Sequence, residues 1–164
     1  MAVVIYFSHG GETLINGEIK KLDIGNTAKL AQLIGKQLGM PTFPILAAIP
    51  YPDSYDQTLQ RSKLDADKLV AIQPIAVDLK AERDIYIGFP VWWGTLPGAV
   101  ATFLQQATLS GKVIHPFCTH EGSGFGNCLE VIHELVPDAT IAKGLPMRGS
   151  RVGCASQAVS NWLN

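Results

Sequence analysis

A chain of 164 residues that is 47% apolar and only 16% charged folds around a core and is not disordered, and a single domain is expected over residues 1–164. Thirteen Lys and Arg against 14 Asp and Glu leave a formal charge of −1, which provides no field for nucleic acid or an anionic membrane surface. Three widely spaced cysteines (Cys118, Cys128 and Cys154) exclude a disulfide framework and a zinc motif.

The residues from Ala2 to Phe7 form an apolar, β-branched run of strand length, as expected for a strand covered on both faces. They lack the basic region and cleavage site of a signal peptide. Between residues 10 and 24, Asn16-Gly17 lies between apolar-bearing arms, Thr13-Leu14-Ile15 and Glu18-Ile19-Lys20. Asn-Gly in that setting predicts a small inserted β-hairpin, a candidate flap over a ligand or a dimer contact. Residues 26–38 read as a helix with Leu30, Leu33, Ile34 and Leu38 inward, stopped by Gly39 and Pro41. Residues 42–48 read as an edge strand, because Pro44 cannot donate to a ladder.

A polar helix is expected over residues 55–69, with an apolar stripe at Tyr55, Leu59 and Ala66. Residues 70–80 carry Pro74 and take no clear assignment. A second buried strand follows at 84–89, then a helix over 95–107 with Thr95 as cap and Pro97 in the first turn. Residues 112–119 form the third strong strand. A helix over 125–136 places Cys128, Val131, Ile132 and Leu135 on one face. A short strand at 139–142 and a last helix over 153–163 complete the series. No apolar stretch approaches the roughly 18 residues that span a bilayer, so a cytoplasmic protein with no membrane contact is expected.

Alternation of strand and helix predicts a parallel sheet with helices on both faces. Ligands of such sheets bind beyond the carboxyl ends of the strands, where the strand order reverses. The chemistry is therefore expected in the loops after Phe7, Phe89 and Thr119. The first begins Ser8-His9-Gly10-Gly11 and meets the helix at Gly25-Asn26-Thr27-Ala28. Hydroxyls and free amides at a helix start suit an anion; equally, these residues can simply cap the helix. The second is Pro90-Val91-Trp92-Trp93-Gly94-Thr95. Side chains alternate along a strand, so at least one tryptophan is expected at the sheet mouth as a platform for a flat ring, or else at an interface. The third is Thr119-His120-Glu121-Gly122-Ser123-Gly124-Phe125-Gly126. Its glycines let backbone approach a ligand, and His120 or Glu121 can polarise a carbonyl or ring nitrogen. It matches neither G-x-S-x-G nor the dinucleotide fingerprint G-x-G-x-x-G.

These loops resemble those of short-chain flavodoxin-like FMN-binding flavoproteins, and the resemblance runs nearly end to end. Ser8 matches the start of the family's phosphate loop, and Gly25-Asn26-Thr27 its end, with the hairpin spliced between. The stretch Gly88-Phe89-Pro90-Val91-Trp92-Trp93-Gly94 resembles the first flavin loop, and Phe117 to Gly124 the second. The resemblance implies a flavodoxin-like, doubly wound five-stranded parallel sheet of order 2-1-3-4-5 with noncovalent FMN at the switch point. It implies Ser8, His9, Asn26, Thr27 and Ala28 at the phosphate, and Pro90, Val91, Trp92, Trp93 and Gly94 beside the ribityl chain and ring. Thr119, His120, Glu121, Gly122, Ser123 and Gly126 would close the other side. Gly94 is the residue whose peptide would flip toward the reduced ring. The implied role is electron transfer or NAD(P)H-linked reduction, with a redox partner protein or small acceptor and a homodimer as a candidate assembly; the alternative is a binding module with FMN absent or structural.

Overall fold

The strands predicted from apolar runs form the centre of a parallel sheet. The computed structural model describes residues 1–66 and 68–164. In chain order the elements are β1 (Ala2–Tyr6), β2 (Gly11–Ile15), β3 (Glu18–Leu22), α1 (Asn26–Leu38), β4 (Thr42–Pro44) and α2 (Tyr55–Asp65). Then follow β5 (Asp84–Pro90), α3 (Gly98–Gln106), β6 (Val113–His120), α4 (Cys128–Leu135), β7 (Thr140–Ile141) and β8 (Leu145–Arg148). A 3-10 segment (Gly149–Cys154) leads into α5 (Ser156–Leu163).

The sheet runs β4-β1-β5-β6, and both β7 and β8 pair with the free edge of β6. Every pairing in this sheet is parallel. β7 lies beside Val113 and Ile114 and β8 beside Phe117 to His120, so they form one interrupted fifth position. The order is thus 2-1-3-4-5, as expected. β2 and β3 form a separate antiparallel hairpin that turns at Asn16-Gly17.

Alternating side chains divide the core. Val3, Ile5, Ile87, Phe89 and Ile114 pack with Val100 and Leu104 of α3 and Ile132 of α4. Val4, Tyr86 and Phe117 pack with Leu30 and Ile34 of α1 and Val159 of α5. Burying each of these large side chains contributes about 1.5–3 kcal/mol, which makes these two layers the main source of stability.

Several boundaries differ from expectation for local reasons. β4 ends at Pro44, and residues 46–48 instead meet residues 71–73 through an antiparallel bridge between Ala47 and Ile72. α2 ends at Asp65; the expected remainder includes residue 67, which lies outside the described residues. Thr95 does not cap α3, whose cap is Pro97, because Thr95 pairs with Trp92 in a tight turn. α4 starts at Cys128, since Phe125 to Asn127 form a turn, and α5 starts at Ser156 after the 3-10 segment. β8 was not expected because Pro146 breaks its pattern; an edge strand tolerates the missing donor. The stripe expected on α2 is also wrong: its buried residues are Thr58 and Ser62, and Leu59 is 38% exposed. This helix lies over polar groups at the sheet mouth.

Candidate functional site

Because β1, β5 and β6 are parallel neighbours, their three following loops converge at one end of the sheet. They surround a cavity of about 290 Å³. Its walls include His9, Asn26 and Thr27 from the first loop, Pro90 to Trp93 from the second, and Thr119 to Glu121 from the third.

Gly25 precedes α1 and donates no side-chain cap. The cap comes instead from Ser8, whose Oγ accepts the Ala28 N–H at 3.0 Å. A side chain at position 25 would run into Ser8 Oγ and the His9 carbonyl, so glycine is what lets the two halves of the loop close. Among the described residues the amides of Asn26 and Thr27 have no acceptor, and the first turn of α1 carries no acidic residue. Those amides, with the dipole of a 13-residue helix behind them, suit an anion. Thr27 and Thr119 share a buried hydroxyl–hydroxyl bond of 2.8 Å that ties the first loop to the third.

The second loop turns through Trp92-Trp93-Gly94-Thr95, closed by reciprocal bonds between Trp92 and Thr95 of 3.1 and 3.0 Å. Its central residues have φ of 55° at Trp93 and 71° at Gly94. Trp92 lies edge-on to Phe7 and Tyr51, at centroid distances of 5.4 and 5.0 Å, and forms a wall. Trp93 is 49% exposed, and its Nε1–H donates to Ser62 Oγ on α2 at 3.1 Å. The Gly94 carbonyl accepts the Asn127 N–H at 2.9 Å, a bond that a peptide flip there would give up. A Cβ on Gly126 would collide with that same carbonyl.

In the third loop, His120 Nδ1 accepts the Gly122 N–H at 2.9 Å. Burial, and then the Arg148 guanidinium, hold the His120 pKa below its ordinary value against the opposing pull of Glu121. Elsewhere, burial pushes the thiols of Cys118 and Cys128 up to about 12, so both behave as inert core residues.

Ten of the sixteen residues singled out from the sequence line this cavity: His9, Asn26, Thr27, Pro90, Val91, Trp92, Trp93, Thr119, His120 and Glu121. The other six do not. Ser8 faces a second cavity, the Ala28 amide is engaged by Ser8, and Gly94, Gly122, Ser123 and Gly126 shape the backbone around the site. Sequence reading missed the lid: Glu12, Thr13 and Leu14 of β2 and Tyr55, Thr58, Leu59 and Ser62 of α2. Glu12 Oε2 accepts the Tyr55 N–H at 2.8 Å, and Glu121 Oε2 accepts the Asn16 N–H at 3.0 Å, so a carboxylate bond fixes each end of β2. His9 Nε2–H and the Thr58 hydroxyl both donate to the Pro52 carbonyl, at 2.9 and 2.7 Å. The inserted hairpin was the only sequence signal for any of this.

A doubly wound parallel sheet with an anion-ready helix start and a tryptophan-walled cavity at its switch point defines a class of α/β ligand-binding protein. The chain belongs to the flavodoxin family, whose model matches residues 2–164. Among solved structures it resembles a protein of Bacteroides uniformis provisionally classed as a flavoprotein, at 24% identity over 99% of this chain and 96% of that one, with a TM-score of 0.76. A Lactobacillus acidophilus flavoprotein in complex with FMN matches at 19% identity over 99% and 98%, with a TM-score of 0.69. Flavodoxin 2 of Bacillus cereus matches at 15% over 99% and 98%, with a TM-score of 0.54. At such identities the likeness establishes the fold. No match was found among curated proteins.

Proposed function

We propose that this chain binds FMN noncovalently and works as a redox flavoprotein. The observation that carries this reading is one cavity lined both by Asn26 and Thr27, whose amides have no acceptor among the described residues, and by the half-exposed Trp93. The donor set fits a phosphate monoester, because it presents N–H groups and hydroxyls with no carboxylate in the first turn of the helix. The walls fit a flat ring, because Pro90, Val91 and the tryptophans present mainly apolar surface. The family and the FMN complex of the Lactobacillus relative support the same reading.

A bound flavin supplies one- and two-electron exchange. The chain's own residues anchor, orient and shield. Asn26 and Thr27 hold the phosphate, Trp93 meets the ring, and the hairpin, fixed through Glu12 and Glu121, keeps water from one side. The roles for Ser8, Ala28, Gly94, Gly122, Ser123 and Gly126 are to shape these loops. The electron donor is a nicotinamide or a partner protein, and the acceptor a small molecule such as a quinone. A formal charge of −1 gives little long-range field for docking a charged carrier partner, which favours the small acceptor. A neighbour of similar fold is an NADH:FMN oxidoreductase, at 16% identity and a TM-score of 0.51.

The test is the visible spectrum of the purified protein, before and after adding FMN and then dithionite. A protein-perturbed flavin band that bleaches is the expected result. A spectrum identical to free FMN, with no retention on gel filtration, would replace this reading with a binding module whose tryptophans face a protein. Riboflavin is expected to bind more weakly than FMN because it lacks the phosphate; equal affinity would remove Asn26 and Thr27 from the phosphate role.

A further inference from the structure

His120 is the one imidazole of the third loop, and its surroundings decide what it can offer a ligand. It ends β6, lines the cavity, and lies opposite Arg148 in the register of β6 and β8. Its Nδ1 lone pair is engaged by the Gly122 N–H at 2.9 Å. An imidazole that accepts at Nδ1 and is neutral must carry its proton on Nε2. Among the described residues, Nε2 has no hydrogen-bond partner. The ring therefore has one N–H to give and no protein group to receive it.

The neighbouring charges keep it so. Arg148 Nη1–H donates to the Glu121 carbonyl at 3.3 Å, and the guanidinium lies 3.4–3.8 Å from where a Cβ on Gly122 would be. It thus supports the short stretch of backbone whose N–H fixes the imidazole. The carboxylate of Glu121, which would favour the charged ring, is partly occupied in accepting the Asn16 N–H.

We propose that His120 is a fixed neutral donor in the cavity, its Nε2–H serving an acceptor atom on the edge of the bound flavin, with Arg148 as the positioning residue that maintains this tautomer and charge. The inference rests on the FMN reading above. Its consequence concerns reduction. A hydrogen bond to a charged acceptor is stronger than one to a neutral acceptor. A donor at an edge that gains negative charge therefore binds the reduced cofactor more tightly than the oxidised one.

The experiment has two arms. In the protein without cofactor, nitrogen-15 NMR of the imidazole reports tautomer and charge directly. The neutral Nε2–H form is expected at neutral pH, with a pKa that rises in Arg148→Gln and stays at the parent value in Arg148→Lys. A charged ring at neutral pH, the other tautomer, or a pKa unmoved in Arg148→Gln overturns the proposal. In the protein with FMN, dissociation constants are measured for oxidised and dithionite-reduced cofactor in the parent and in His120→Phe. The variant is expected to lose about tenfold more affinity for reduced than for oxidised FMN. That corresponds to about 30 mV lower potential for a two-electron couple. Equal loss in both states overturns the inference while leaving FMN binding intact. A parent that binds neither form overturns the FMN reading itself, and this inference with it.

Discussion

Two turns of this molecule have the same local form and opposite sequence logic. Asn16-Gly17 closes the hairpin with φ of 51° and 79°; Trp93-Gly94 closes the second loop with φ of 55° and 71°. Two central residues at positive φ are the pattern of a type I′ turn. Asn enters that region easily, because its short polar side chain bonds locally. Tryptophan does not: a bulky residue there is strained, by roughly 1–2 kcal/mol. The first turn is therefore set by its own residues, whereas the second is imposed from outside. Its tertiary support is visible: the Trp93 bond to Ser62, the aromatic packing of Trp92 on Tyr51 and Phe7, and the seating of Gly94 on Gly126. Strain held by surrounding structure is a mark of sites that position something.

The strongest way to break the comparison is to remove the outside support. Gly126→Ala places a Cβ against the Gly94 carbonyl at a position whose φ is 55°. A loss of about 2–3 kcal/mol in urea unfolding is expected, together with loss of FMN binding. A loss under 1 kcal/mol would mean that the second turn does not depend on this contact. The next test gives the second turn the residue of the first. Trp93→Asn relieves the strain and removes the platform. Stability without cofactor is expected to hold or rise by about 1 kcal/mol, while FMN affinity falls about tenfold. A variant that loses stability would show that Trp93 is not strained.

A third test sharpens the idea of support through pH. Burial, followed by the charge of Asp65 and the hydrogen bond to it, pushes the Tyr51 pKa from 10.0 to about 12, against the pull of Arg61. The folded state thus holds this proton more tightly than the unfolded chain. The resulting stability is complete below pH 10 and is lost as pH rises from there toward 12. Tyr51→Phe keeps the packing on Trp92 and removes the Asp65 bond of 3.1 Å. A cost of about 1 kcal/mol at neutral pH is expected, with a flatter alkaline limb than the parent's. An unchanged alkaline limb would assign that loss to other groups.

The same contrast explains what could be read from the chain. β1, β5 and β6 were legible because a strand covered on both faces must be continuously apolar, and the hairpin because Asn-Gly acts through its own dihedral preference. β8 was hidden by Pro146, which only an edge position excuses. The left-handed Trp93 was hidden because no local preference predicts it. α2 was misread for a related reason. A helix that faces water on one side and polar groups on the other buries Thr58 and Ser62, so hydropathy marks the wrong face. Ten residues that line the cavity, on three loops, were legible as neighbours because strand ends in a parallel sheet converge. The lid residues were not, since Glu12 and Tyr55 are 43 positions apart and meet through one hydrogen bond.

The gentlest test concerns the turn whose own residues favour its shape. Asn16→Ala keeps the backbone N–H that Glu121 accepts and removes only the side chain that makes positive φ easy. The cost, about 0.5–1 kcal/mol, falls on the hairpin alone, because Asn16 is exposed and β2 and β3 form a sheet separate from the core. If the hairpin opens as a local unit, its amides exchange about 2–5-fold faster, while the urea midpoint and the amides of β1, β5 and β6 stay at parent values. FMN would also enter and leave faster, with little change in affinity. Should the whole protein instead lose stability by the same amount, the hairpin unfolds only with the core. The first turn would then be as firmly tied to the fold as the second, and the distinction between them would disappear.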